Sequence, residues 1–192
     1  MNTDATTRHC WYLRKSPVLA DLPPAALQLL AQTAELCERP RKTTLYLAGD
    51  FAESVYFLHG GRVSSFLMAS AHRIVSLGLY GPTDVFGESC LWTSAPRDET
   101  AVTSTAALYT RIPRALLRMT LDEHRHAEQR LFELAVARRD ATIRRLGGAL
   151  GSSVRARLAS QLVELGEHGH DTPDGRELAR TDLARYGITH RL

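Results

Sequence analysis

Two side chains of opposite charge stand near each other in the sequence, beside a glycine. In the stretch GPTDVFGESCLWTSAPRDETA, Gly81 to Ala101, Gly87 precedes Glu88, and Arg97 follows nine residues after Glu88. Glycine lets backbone N–H groups come close to a ligand. A carboxylate and a guanidinium facing one hollow can hold a ribose hydroxyl and a phosphate. Arg97 is followed by Asp98 and Glu99, however. A carboxylate roughly 4–5 Å from a phosphodiester repels it by about 3–4 kcal/mol at an effective dielectric near 20. The pattern therefore disfavours cAMP or another cyclic nucleotide. A structural salt bridge, Glu88 with Arg97 or Arg97 with Asp98, is the plain alternative.

Other chemistry is sparse. There is no P-loop, HExxH or GxSxG motif, and no enzyme activity is expected. A cupin-like metal site would need two or three histidines and a glutamate on facing strands, but the strands carry only His59 and His72. His124 with His126 and His168 with His170 fit solvated surface, so no metal site is assigned. The three cysteines, Cys10, Cys37 and Cys90, are too few for an iron–sulfur cluster. No cofactor is assigned. Haem, which needs only one or two ligands, is compatible with the His9-Cys10 pair near the N-terminus. Cys90 lies in an apolar setting and reads as a small buried hydrophobe.

Three kinds of element must position these groups. Ser16 to Leu36 reads as a helix with Asp21 as N-cap candidate, Pro23 and Pro24 in its first turn, and Leu27, Leu30, Ala31 and Ala34 on one face. From Thr43 to Ile112 the pattern changes to short strands, TLYLAGD, SVYFLHGGRVSSFLM, HRIVSLGLYGP and TAVTSTAALYTRI. Gly49-Asp50, Gly60-Gly61 and Gly81-Pro82 punctuate them. This spacing argues for a compact antiparallel roll or barrel. After Pro113 a helical period returns, as a short helix and then a long one from about Asp122 to Leu146. Leu131, Ala135, Arg139, Thr142 and Leu146 share a stripe on the long one. Gly147-Gly148 and Gly151 should interrupt the helix and act as a hinge, since each glycine costs roughly 1 kcal/mol against alanine in a helix interior. A further helix follows, with Val154, Leu158, Leu162 and Leu165 on one face.

GPTDVFGES, together with Gly49-Asp50 and the run VYFLHGGRV upstream, resembles the effector domain of CRP/FNR-type bacterial transcription regulators. The resemblance covers roughly Ser16 to Leu165. It implies an α+β chain: a double-stranded β-helix (a jelly-roll-like cNMP-binding fold), a long dimerisation helix, and the start of a winged helix-turn-helix domain. The implied domains are 1–120 for sensing, 121–150 for dimerisation and the glycine hinge, and 151–192 for an incomplete DNA-binding domain. It implies a homodimer through the long-helix stripe, promoter DNA as a partner of the full-length protein, contact with RNA polymerase, and no membrane association. By correspondence with the family's site, Glu88 takes the ribose role, Arg97 the phosphate role, Thr142 the base-contacting role and Arg138 the arginine one turn earlier. Gly87 and Asp98 complete the candidate effector site.

The bulk properties are compatible with this. The net charge of +3 is uneven: residues 1–110 carry 9 Lys+Arg against 10 Asp+Glu, and residues 111–192 carry 15 against 11, the 15 all arginine. A basic C-terminal part suits a phosphate-contacting module. Three scattered cysteines, no apolar run of membrane-spanning length and no signal-like N-terminus suggest a cytoplasmic protein. Beyond the turn at Pro173-Asp174-Gly175 only 17 residues remain. That is too few for a strand, a helix, a turn and a recognition helix, so a truncated output domain is expected. The alternative is a stand-alone ligand-binding or dimerisation module without DNA binding.

Overall fold

The computed structural model describes residues 3–70, 73–151, 170–172 and 175–177. The helix expected around Val154 to Leu165, the residues after 177, and His72 and His168 lie outside the described residues. The chain divides into two compact units, Met1–Arg138 and Arg139–Leu192.

The first unit opens with two helices, α1 (Thr3–Arg14) and α2 (Pro24–Thr33). Helix α1 was not expected, because TDATTRHCWYLR has no long apolar run. It forms against the core nonetheless, with Leu13 fully buried. Helix α2 is shorter than the sequence suggested: Glu35–Arg39 is strand β1, and the N-cap is Pro23 with no side-chain cap. Asp21 pairs instead with Arg130.

The strands then follow in order: β2 (Thr44–Tyr46), β3 (Ser54–Gly60), β4 (Val63–Ser70), β5 (Arg73–Tyr80), β6 (Val85–Phe86), β7 (Thr100–Thr103) and β8 (Ala107–Pro113). They form two four-stranded antiparallel sheets of order β1-β8-β3-β6 and β2-β7-β4-β5. This is the jelly-roll expected from the glycine-punctuated strands. A two-residue turn joins β3 to β4. Gly61 there has φ 77°, and a Cβ would stand 1.9 Å from the Ala106 carbonyl oxygen, so only glycine fits.

Strand β3 shows why Val55 to Leu58 are large and buried in succession rather than in alternation. Successive side chains leave opposite faces of a strand, and here both faces are covered. Val55 and Phe57 join the core formed with the helices, including Leu13, Leu19, Leu27, Leu30 and Leu117. Tyr56 and Leu58 join a second core between the sheets, with Tyr46, Tyr80, Phe86 and Tyr109. The rings of Tyr56 and Tyr80 each stack on Phe86 at 5.0 Å.

A buried polar chain ties α1 to the roll. His9 Nδ1 lies 2.9 Å from the Ala31 carbonyl oxygen and must carry a proton to bond it. In the neutral ring His9 Nε2 is then an acceptor. The Thr110 hydroxyl, 2.8 Å away, donates to it, and His59 Nε2 donates to Thr110 at 2.7 Å. Burial holds both imidazoles below their ordinary range, His59 at about 4. The His9-Cys10 pair is therefore no loose N-terminal ligand set: both His9 nitrogens are spent inside the fold.

After Pro113 come α3 (Arg114–Glu123) and α4 (Arg125–Gly151), separated at His124. Helix α4 runs unbroken through Gly147 and Gly148 to Gly151. The expected interruption is absent. A penalty of roughly 1 kcal/mol per glycine lowers helix stability without forbidding the helix. In the second unit, β9 (His170–Thr172) pairs antiparallel with β10 (Gly175–Glu177).

The stripe chosen from the sequence sits one residue off. Ala127 and Leu131 are buried in the helix-side core and Leu134 packs against it. Phe132, Val136 and Ile143 are exposed instead. Arg139, a polar member of the stripe read from the sequence, is exposed and pairs with Asp140 at 3.7 Å.

Candidate functional site

Strand β6 ends at Gly87, which takes the left-handed conformation (φ 73°) and starts a 3-10 turn over Glu88–Leu91. A side chain at Gly87 has no room: its Cβ would stand 2.8 Å from Arg97 Nη1 and 3.2 Å from Tyr56 Cδ2. The turn directs Glu88 inward, its side chain only 12% exposed. Burial pushes the Glu88 carboxyl above its usual range, and Arg138 partly offsets this.

Arg138 of α4 is the partner of Glu88. Its Nη1 donates to Glu88 Oε1 at 3.1 Å and to the Val85 carbonyl. Its Nη2 lies 4.0 Å from Asp84 Oδ1, and its guanidinium covers the Tyr80 ring at 4.7 Å. The Tyr80 hydroxyl and the Ser65 hydroxyl, 3.2 Å apart, lie on the same side of the roll.

Arg97 is 5% exposed, yet it pairs with neither Glu88 nor Asp98. Its Nη1 donates to the Gly87 carbonyl at 2.7 Å and its Nη2 to the Ser54 carbonyl. Its Nε has no partner. The Tyr46 ring covers the guanidinium at 4.4 Å. The backbone of Arg97 is also held: its N–H donates to the Asp50 carbonyl at 2.9 Å, and its own carbonyl accepts from Gly49 N–H at 2.8 Å. Gly49-Asp50 thus braces the segment carrying Arg97.

The two carboxylates after Arg97 part company. Asp98 is exposed, whereas Glu99 is half-buried and accepts a hydrogen bond from the Tyr46 hydroxyl at 3.0 Å. Burial pushes the Tyr46 and Tyr80 hydroxyls and the Glu88 carboxyl above their ordinary ranges, and the Glu99 charge adds to each shift. Cys90 is buried, its thiol pushed up by burial and 3.4 Å from the Gly87 carbonyl.

Residues 37–124 match the family of cyclic nucleotide-binding domains. A CRP-like cAMP-activated global transcriptional regulator of Mycobacterium tuberculosis is 25% identical over 177 residues, spanning 92% of this chain and 79% of the relative. Over that span the chain is similar to the CRP-like transcriptional regulators. Solved structures share the fold of this CRP-like chain. The c-di-GMP-responsive global regulator CLP of Xanthomonas campestris superimposes with a TM-score of 0.69 at 22% identity, over 87% of this chain and 86% of that one. The sensor domain of the transcriptional regulator DNR of Pseudomonas aeruginosa gives 0.63 at 18% identity, over 72% and 93%.

Of the residues singled out from the sequence, Gly87, Glu88, Arg97 and Arg138 come together at one corner of the roll. Thr142 stands about one turn beyond Arg138 on α4, in the second unit. Three participants gave little sequence signal: Tyr46, Tyr80 and Ser65. Each lies on a strand where an aromatic or small side chain reads as core. The signal that could have singled out Tyr46 and Tyr80 is their hydroxyl, which in a closed roll needs a polar partner. No helix among the described residues is long and apolar enough to cross a membrane.

Proposed function

We propose that this chain is a CRP/FNR-type transcription regulator acting as a homodimer, in which the corner at Gly87, Glu88, Arg97 and Arg138 is the effector site and α4 carries its state to DNA-binding parts. The observation that carries the proposal is the Arg138–Glu88 ion pair, 3.1 Å long and largely buried. It fastens the long helix to the corner itself. An effector that engages Glu88 or Arg138 must break or remake that pair, so occupancy has a different energy for each position of α4. The Mycobacterium tuberculosis relative, described as a cAMP-activated global regulator, supports the same division of labour. Gly147, Gly148 and Gly151 are the weakest part of that helix.

The dimer face is the exposed edge of α4, Phe132 and Val136, with Trp92 set edge-on to Phe132 at 6.0 Å. A parallel pair of such helices would bury these three side chains in both copies. Promoter DNA is the partner of the basic C-terminal part.

Selection of binding sites from a random DNA pool with the full-length protein, of which promoter DNA is the expected partner, tests the proposal. Enrichment of a two-fold symmetric site, with half-sites about one helical turn apart, is the expected result. It should be abolished by Phe132→Glu. A dimer that enriches nothing would refute DNA regulation and leave a stand-alone dimerisation module.

A further inference from the structure

We infer that Glu99 is a built-in anion that fills the phosphate side of the effector corner and sets its specificity against cyclic nucleotides. The inference rests on the reading of that corner as the effector site. Four observations carry it. Arg97, the cation that a phosphate would seek, is covered by the Tyr46 ring and has both terminal nitrogens engaged by carbonyls of Gly87 and Ser54. The same Tyr46 holds Glu99 by its hydroxyl, so one side chain shields the cation and anchors a competing anion. The Glu99 charge acts on Tyr80, Glu88 and Arg138, the groups that line the rest of the hollow. Asp98, the other acid after Arg97, is exposed. The specificity therefore resides in one carboxylate rather than in the pair.

The chemistry follows from charge. A phosphodiester entering beside Arg97 must displace Tyr46, whose hydroxyl holds the Glu99 carboxylate at 3.0 Å, and so it meets a like charge there. Neutralising Glu99 removes the repulsion but need not disturb the wall. In Glu99→Gln the amide oxygen still accepts from the Tyr46 hydroxyl.

The test is calorimetric titration of the full 192-residue chain with cAMP and with cGMP, wild type against Glu99→Gln, Glu99→Ala and Asp98→Asn. A thermal melt of each sample serves as the folding check. Glu99→Gln is expected to bind at least about a hundredfold more tightly than wild type, the factor that loss of one adjacent like charge supplies. Glu99→Ala should gain similarly and Asp98→Asn should stay at the wild-type level. Wild-type binding as tight as that of Glu99→Gln would overturn the inference. So would folded Glu99→Gln and Glu99→Ala that take up no nucleotide, or an equal gain from Asp98→Asn. The double variant Glu88→Gln/Glu99→Gln separates this failure from failure of the underlying reading. Binding gained through Glu99→Gln and kept in the double variant would place the ligand away from the corner and sink the effector-site assignment. A gain lost in the double variant supports both.

Discussion

Replacing Gly87 by alanine should destabilise the roll through both its backbone and its neighbours at the corner. The φ of 73° places Gly87 in the left-handed region, which costs an L-residue about 1–2 kcal/mol. The added Cβ would also stand 2.8 Å from Arg97 Nη1 and 3.2 Å from Tyr56 Cδ2. Neither neighbour is a free tip. Arg97 is 5% exposed and clamped by the Gly87 and Ser54 carbonyls, and Tyr56 is 6% exposed and stacked on Phe86. Moving the guanidinium sacrifices a charged hydrogen bond, worth about 1.5–3 kcal/mol. Alanine recovers about 0.4–1 kcal/mol through its smaller unfolded-state entropy. The net is about 3 kcal/mol, or roughly 6–12 °C in Tm for a chain of this size. Urea unfolding followed by tryptophan fluorescence measures it, because Trp92 follows the same turn. Gly81→Ala is the internal control, since a Cβ there meets nothing within 4 Å. It should change stability by less than about 0.5 kcal/mol. A Gly87→Ala protein within about 1 kcal/mol of wild type would refute the account of the corner as closed by glycine.

Three further outcomes follow from the packing. Leu131 is fully buried and Phe132 54% exposed, so Leu131→Ala should cost about 2–5 kcal/mol in urea unfolding and Phe132→Ala under about 1 kcal/mol in the isolated chain. Reversed costs would mean that α4 is rotated. Light scattering after size exclusion should give a dimer for wild type and a monomer for Phe132→Glu, with a folded circular dichroism spectrum in both. A dimeric Phe132→Glu would refute the proposed face. His59 has its folded pKa lowered to about 4 from 6.5 by burial, then by the nearby His9 and Lys15. The unfolded chain therefore binds a proton at this group between those values when the fold does not. Stability from His59 is full above pH 6.5 and falls as pH drops towards 4, by up to about 3 kcal/mol. Unfolding of His59→Gln across that window should show a shallower loss, and identical slopes would refute it.

The roll was legible because its strands are short and its corners carry glycine, which fixes where the chain must turn. Strand β1, Glu35–Arg39, was not legible. ELCER continues the apolar spacing of α2, and only pairing with β8 across more than 70 residues makes it a strand. Helix α1 was hidden for a similar reason: its burial depends on a histidine whose two nitrogens are satisfied from α2 and β8. Such long-range satisfaction leaves no periodic trace. At the corner, residue types were readable but partners were not. Glu88 and Arg97 suggested each other by proximity, yet Glu88 found Arg138, 50 residues on, and Arg97 found backbone carbonyls. Asp98 and Glu99 are adjacent and chemically alike. Both lie in the bend just before β7, and only the way that bend leaves Asp98 exposed and brings Glu99 to the Tyr46 hydroxyl distinguishes them.

The rotation of α4 shows what would have resolved the one-residue error. Two stripes compete in RLFELAVAR: Leu131 with Leu134, and Phe132 with Val136. Both satisfy helical spacing, so hydrophobicity alone does not choose between them. The ion pair between Arg138 and Glu88 does. Arg138 must point at the Glu88 corner of its own chain, and residues 7 and 4 positions before it lie on its face of the helix. Those are Leu131 and Leu134, the residues found against the core. Phe132 and Val136 are then turned outward, as their exposure shows. One long side chain required at the site thus fixes the azimuth of the whole helix. The ion pair at 3.1 Å and the outward apolar edge are two consequences of one rotation. Any change that turns α4 to free Arg138 from Glu88 must also re-aim Phe132 and Val136, which is how an event at the corner would reach a second copy of the chain.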